Sequence, residues 1–296
     1  MLAKLFKRNS LADAGKSSII IQRASVTLTV TVGGSVYVQQ LPCANSDFCA
    51  AIERLVAESD LPVANSQCQI VLGHGMYQLA QMEKPAVPDS ELTQALTWSA
   101  KDLISIASEN IILDYFSYLN NNPNNNKINV VACDKSIIKP ITDLLSGLDV
   151  EIKNISIVDI VLSRLLNEPT PRVLVFHLPN MNVIVAVIKE GQLCFSRHIK
   201  GYDNLHQMSD GDFQAGGLNN LGLEIQRCID FAVGQLKLDA ITGVSLLVQS
   251  LDTPHMASAL QDFFDIDVSI HEPEFAQEFN RYPLSALALA EMELAD

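Results

Sequence analysis

The sequence predicts an α/β protein made by duplication, with a small α+β subdomain inserted in its first half. Three observations predict it. Short runs of β-branched residues alternate along the chain with amphipathic helical stretches. A pattern of three successive strands followed by a helix occurs twice, once from Ser18 and again from Arg172. Between the first copy and the return to a β-α pattern lies extra chain, about residues 75–126, with a helix and a strand of its own.

The first copy opens with SIIIQ, VTLTVTV and SVYVQQL, and Gly33-Gly34 marks a tight hairpin turn. A helix follows from about Asn45 to Ser59, capped by Asn45 or Ser46, with Phe48, Ile52, Leu55 and Val56 as its apolar stripe. QIVLG is the next strand. The insertion then holds a helix over Ser90–Ile106 capped by Asp89 or Ser90, a strand in ENIILDYFSYL and a hairpin loop, NNNPNNNK, where Asn and Pro suit a turn. INVVACD, a helix starting at Ser136, the strand VEIKNIS and the helix IVDIVLSRLL close the half, and NEPTPR is a Pro-containing boundary. The second copy reads RVLVFHL, NVIVAVI and QLCFSRHI, then a polar loop and one long helix from about Phe213 to Leu236. GVSLLVQ, a helix capped by Thr253 with Pro254 at its first position, and DVSIH complete it. Two such halves describe a duplicated ribonuclease-H-like fold, the architecture shared by the actin-like ATPases.

Composition excludes several classes. Hydrophobic residues make up 48% and charged residues 18% of 296, as in a globular chain with a full core. A net charge of −14 argues against nucleic-acid binding, which needs a Lys/Arg surface to neutralise phosphates. The six Cys (43, 49, 68, 133, 194 and 228) form no CxxC pair, which suits a reducing cytoplasm and neither a disulfide framework nor a zinc site. No apolar run approaches the roughly 18–20 residues that span a bilayer. The N-terminal MLAKLFKRNS alternates Leu2, Leu5 and Phe6 with Lys4, Lys7 and Arg8, a pattern for peripheral contact with an anionic membrane, or for a plain basic terminus.

The segment VPDSELTQALTWSAKDLISIASENIILDYF carries a resemblance. Pro88, Glu91, Leu92, Trp98, Ala100, Ile104, Leu113, Asp114 and Tyr115 fall where the PilM family of type IV pilus biogenesis proteins has its signature, with Ser105-Ile106 replacing a Pro-Phe pair. KINVVACDKSIIKPITDLLSGLDVEIKNISIVDIVLSRLL, LGLEIQRCIDFAVGQL and YPLSALALAEMEL resemble later blocks of the same family, so the likeness runs from about Ser18 onward. The short N-terminal part is most similar to MshI-type proteins of the mannose-sensitive hemagglutinin (MSHA) pilus. The resemblance implies a first actin-like domain over 17–168, joined by a returning C-terminal helix 281–296, and a second over 169–280.

It also implies a place for ATP, with an Asp and glycines in each phosphate hairpin and a later Gly-Gly turn for the adenosine. Here the first hairpin has Gln22 near the Asp position and no Gly; the second has His177 for the Asp and Pro179 for a Gly; the third segment, LLVQSLDTPHM, has no Gly and offers Asp252. Proline removes an N–H donor, and neither His nor Gln suits hard Mg²⁺. The expectation is therefore a degenerate cleft near Gln22, His177, Pro179 and Asp252, with Mg-ATP disfavoured, no catalytic or metal residues, and no enzyme activity.

Other motifs are weaker. AGKSS is similar to the end of a P-loop but has Ser10 where the upstream Gly belongs, and it precedes its strand. His74, His198, His206, His255 and His271 read as surface or loop residues, Glu224 and Asp230 as a solvated helix face, and Trp98 as a packing anchor. The family likeness implies a non-catalytic scaffold, cytoplasmic and peripheral at the inner membrane. It would dock the N-terminal peptide of a PilN-like bitopic membrane protein alongside other pilus assembly proteins, and an acidic surface suits a basic tail. The alternatives are an ATP-binding switch of the same machine, or a GspL-like cytoplasmic anchor for a secretion ATPase. The latter kind carries a transmembrane helix after this domain, where the present chain ends at Asp296.

Overall fold

The computed structural model describes residues 15–33, 35–43, 46–59, 63–117, 122, 126–179, 181–272 and 282–294. The chain divides into two compact units, and its elements are numbered in chain order. The first unit draws on Met1–Met76, Asp134–Ile157 and Phe275–Asp296. Its sheet comprises β1 (Lys16–Gln22), β2 (Ser25–Val32), β3 (Ser35–Pro42), β4 (Gln67–Leu72) and β8 (Glu151–Ile157), in the order β3-β2-β1-β4-β8. The first three strands are an antiparallel meander, with Ile19 opposite Leu28; β4 and β8 add in parallel, with Ile19 opposite Ile70. Gly33 has φ 56, the left-handed turn conformation expected of it, while Gly34 lies outside the described residues.

Helix α1 (Phe48–Ser59) buries Phe48, Ala51, Ile52 and Leu55. Its cap is Asp47, whose Oδ1 accepts from the Ala50 N–H at 3.1 Å, one residue beyond the expected Ser46. In α3 (Lys135–Gly147) Asp134 caps the helix by accepting from the Ser136 N–H at 2.8 Å. Helix α8 (Pro283–Leu294) packs on β1, β2 and β4.

The second unit draws on Tyr77–Cys133 and Val158–Glu274, so packing groups the inserted segment with the second half of the chain. The insertion is a three-stranded sheet, β5-β7-β6, made of β5 (Gln78–Glu83), β6 (Ile111–Phe116) and β7 (Lys127–Asp134). Helix α2 (Asp89–Ser99) lies on it through Leu92 and Leu96, against Ile128, Val130 and Ala132. Strand β5 was not expected; QLAQME lacks β-branched residues and is held by pairing with β7. The predicted helix over Ser90–Ile106 stops at Ser99 and tightens into a 3₁₀ turn at Ala100–Asp102, and its N-cap is Pro88, with no side-chain cap. Most of NNNPNNNK lies outside the described residues.

Trp98 is not a packing anchor. It sits 73% exposed on the face of α2 opposite Leu92 and Leu96, with the Lys101 ammonium 3.9 Å from its ring centroid.

The rest of this unit repeats the first topology: β9 (Arg172–His177), β10 (Val183–Lys189), β11 (Gln192–Ile199), β12 (Gly243–Val248) and β13 (Asp267–Ile270), in the order β11-β10-β9-β12-β13. Helices α6 (Asn219–Gly234) and α7 (Thr253–Gln261) bury Ile225, Cys228, Met256 and Leu260 against Val173, Val175, Val185 and Leu246. The single long helix expected over Phe213–Leu236 is two. A short α5 (Asp210–Gln214) ends where Gly216 takes φ 84 and the Gly217 N–H returns to the Asp212 carbonyl at 2.9 Å. A Cβ on Gly217 would lie 2.8 Å from that same carbonyl oxygen, so this close return of the backbone needs glycine. The cap of α7 is Asp252, and Pro254 is in its first turn. Helix α4 (Val158–Leu162) precedes β9. No helix among the described residues is long and apolar enough to cross a membrane.

Candidate functional site

His177 ends β9 and is completely buried, on the face that alternation gives to Val173 and Val175. Among the described residues neither ring nitrogen finds a well-formed hydrogen-bond partner. The ring stacks on His206, centroids 6.0 Å apart and planes 22° apart. Burial, with the neighbouring His206, lowers its pKa to about 4, against weaker raising effects of the Met181 and Tyr202 backbone and of Asp203. At neutral pH this position therefore holds an uncharged imidazole. Pro179 is exposed in the turn that follows. The loop after β12 is tied to the same end of the sheet, since the Gln249 N–H reaches the His177 carbonyl at 3.2 Å and the Leu251 N–H reaches that of His206 at 3.3 Å. That loop leads to Asp252, whose carboxylate is engaged by His255 Nδ1 at 2.6 Å, which raises the His255 pKa. Among the described residues no three His, Cys, Asp or Glu side chains converge to hold a metal.

Gln22 ends β1 and accepts from the Ser25 hydroxyl at 3.1 Å. Alternation from Ser18 places it on the face toward α8, where Gln69 meets Glu291 of that helix, whereas His177 faces α6 and α7. These are not equivalent positions in the two repeats. By facing, the counterpart of His177 in the first hairpin is Ile21 or Arg23, so the expected register there shifts by one residue.

A second polar cluster was not foreseen. Asp159 of α4 is fully buried, and its Oδ2 accepts from the Tyr77 hydroxyl. Its Oδ1 accepts from the Ser196 hydroxyl and, at 2.9 Å, from His198 with the proton on Nε2. Burial pushes the carboxyl pKa up, but the His198, Ser196 and Tyr77 contacts together win, and the net shift is downward. His198, expected at the surface, is thus partly buried and hydrogen-bonded to a buried carboxylate. Its signal was the alternation in QLCFSRHI, which puts Ser196 and His198 on one face two residues apart. The partner carboxylate, 37 residues upstream of Ser196, could not be read from spacing. Glu224 is not simply a solvated face either: it pairs with Arg197 at 3.1 Å and with Arg227.

No family model matches the sequence, and no curated protein matches it. Solved structures do. A PilM–PilN type IV pilus biogenesis complex is similar with TM-score 0.65 at 15% identity, over 96% of this chain and 97% of that one. The cytoplasmic domain of EpsL, an inner-membrane component of the type II secretion system of Vibrio cholerae, is similar with TM-score 0.55 at 12% identity, over 96% of each chain. A Bacteroides thetaiotaomicron protein with an actin-like ATPase fold is similar with TM-score 0.51 at 14% identity, over 93% of this chain and 96% of that one. Taken with the repeated strand order, these likenesses show that the chain has the actin-like ATPase fold, a duplicated ribonuclease-H-like architecture.

Proposed function

We propose that this chain is a non-catalytic scaffold of a type IV pilus assembly machine, of the MSHA kind, that docks the N-terminal tail of a PilN-like inner-membrane protein and so sits at the cytoplasmic face of that membrane. The observation that carries the reading is the likeness to a PilM–PilN complex along nearly the whole of both chains, together with the PilM-type signature from Pro88 to Tyr115. A neutral, buried His177 and an exposed Pro179 support loss of ATP hydrolysis, because Mg²⁺ and a γ-phosphate require charged oxygen ligands and N–H donors. The net charge of −14 favours a basic peptide.

The test is capture of the purified chain by a synthetic peptide of a PilN-like protein's cytoplasmic N-terminus, with a scrambled peptide as control. Capture without nucleotide is expected. Failure by folded protein would sink the docking role. Calorimetry with Mg-ATP is expected to show no binding, and tight binding would favour an ATP-dependent switch instead. A second reading, a cytoplasmic anchor in a secretion system, rests on the EpsL likeness and predicts association with a secretion ATPase.

A further inference from the structure

The end of β11 and the start of α6 border an open cavity of about 610 Å³. Arg197, His198, Lys200, Tyr202, Asn220 and Glu224 line it. In a chain with 34 acidic and 20 basic residues, this concentration of Arg, His and Lys within four consecutive positions runs against the overall charge. The one acidic side chain in the lining, Glu224, is offset by both Arg197 and Arg227. The His198 ring is fixed from behind by Asp159, so it forms a preset wall. Asn220 lies in the first turn of α6, a 16-residue helix whose first turn contains no acidic residue to meet its positive end. The cavity is therefore built of donors and cations, with one neutralised carboxylate.

We propose that this cavity binds a small anionic molecule bearing phosphate or carboxylate groups, contacted by Lys200, Arg197 and Asn220 and bounded by His198. Charge-assisted donors of this kind select oxyanions over neutral molecules. The cavity adjoins the end of β9, because Tyr202 of its lining also reaches the His177 ring through its backbone. The proposal does not rest on the scaffold reading, and peptide capture tests that reading separately.

The experiment is calorimetric titration of the full chain with pyrophosphate and, separately, with citrate at low ionic strength. Saturable binding of one copy per chain is expected, and the stronger probe identifies phosphate or carboxylate as the preferred group. Lys200→Glu and Asn220→Asp should each weaken binding by about tenfold or more, since each places a negative charge at the contact. Asn220→Asp is the safer variant, because an acidic residue in the first turn of a helix favours folding. Circular dichroism and the melting temperature are expected to be unchanged in it. The proposal is overturned if neither probe binds at about 10 mM, a limit already weaker than a millimolar site. It is equally overturned if both cavity variants bind normally.

Discussion

The two five-stranded sheets share one strand order, yet their covered faces differ in kind. In the second unit, α6 and α7 cover valines and leucines almost without interruption. In the first unit, α8 covers a face carrying Ser18, Thr29, Gln69 and Ser156, all buried. Of these, Gln69 Nε2 and the Ser156 hydroxyl reach the buried Glu291 carboxylate at 3.1 and 3.3 Å. Ser18 Oγ, Thr29 Oγ1, Gln69 Oε1 and Ser285 Oγ have no hydrogen-bond partner among the described residues. The opposite face of the first sheet, with Ile19, Ile21, Ile70 and Leu72 buried, is apolar, so the contrast lies between two layers and not between whole sheets. Apolar burial holds one layer, while the other bears the desolvation cost of orphaned polar groups.

The contrast can be broken by substitution. The largest effect is expected from Leu246→Ala, which empties a wholly buried site in the layer under α6 and α7; it should cost about 2–5 kcal/mol in urea unfolding. A loss under about 1 kcal/mol would mean that the layer under α6 and α7 is not the tighter of the two compared. Next comes pH. The folded chain keeps His177 below its ordinary pKa, at about 4, so its contribution to stability is full above about 6.5 and falls as pH drops toward 4. Unfolding at pH 7.5 and pH 5 should show this, and His177→Leu should remove that part of the dependence. An unchanged pH profile in the variant would show that His177 is solvated. The smallest effect, and the sharpest for the comparison, is Thr29→Val. It deletes an orphaned hydroxyl at nearly constant volume, and stability is expected to stay level or rise by up to about 1 kcal/mol. A clear loss in the melting temperature would mean that water or an unseen donor satisfies that hydroxyl.

Much of the fold was legible because the strands of both meanders are β-branched and the helices carry apolar stripes at regular spacing. What stayed hidden depends on partners distant in sequence. QLAQME becomes a strand only because β7 lies beside it, and the helix break at Gly216-Gly217 needs the backbone of Asp212 to explain it. Trp98 illustrates the reverse failure: hydrophobicity suggested burial, but its place on α2 is a quarter turn or more from Leu92 and Leu96, and it stays in water. His177 and Pro179 fall at a strand end and in the turn after it, as the hairpin pattern of the sequence suggests. At Gln22 one residue of register changed the face, and Asp159 with His198 was invisible because three segments must meet to form it.

The position of α8 in the chain has a consequence for synthesis. Its residues follow every strand and every other helix, although they cover a sheet begun at Lys16. During translation that face stands bare while the whole second unit emerges. Serine, threonine and glutamine tolerate water through this interval far better than the valine-rich layer of the other sheet would, and they offer less to an aggregating neighbour. Hydroxyls that weaken the finished layer thus protect the nascent one.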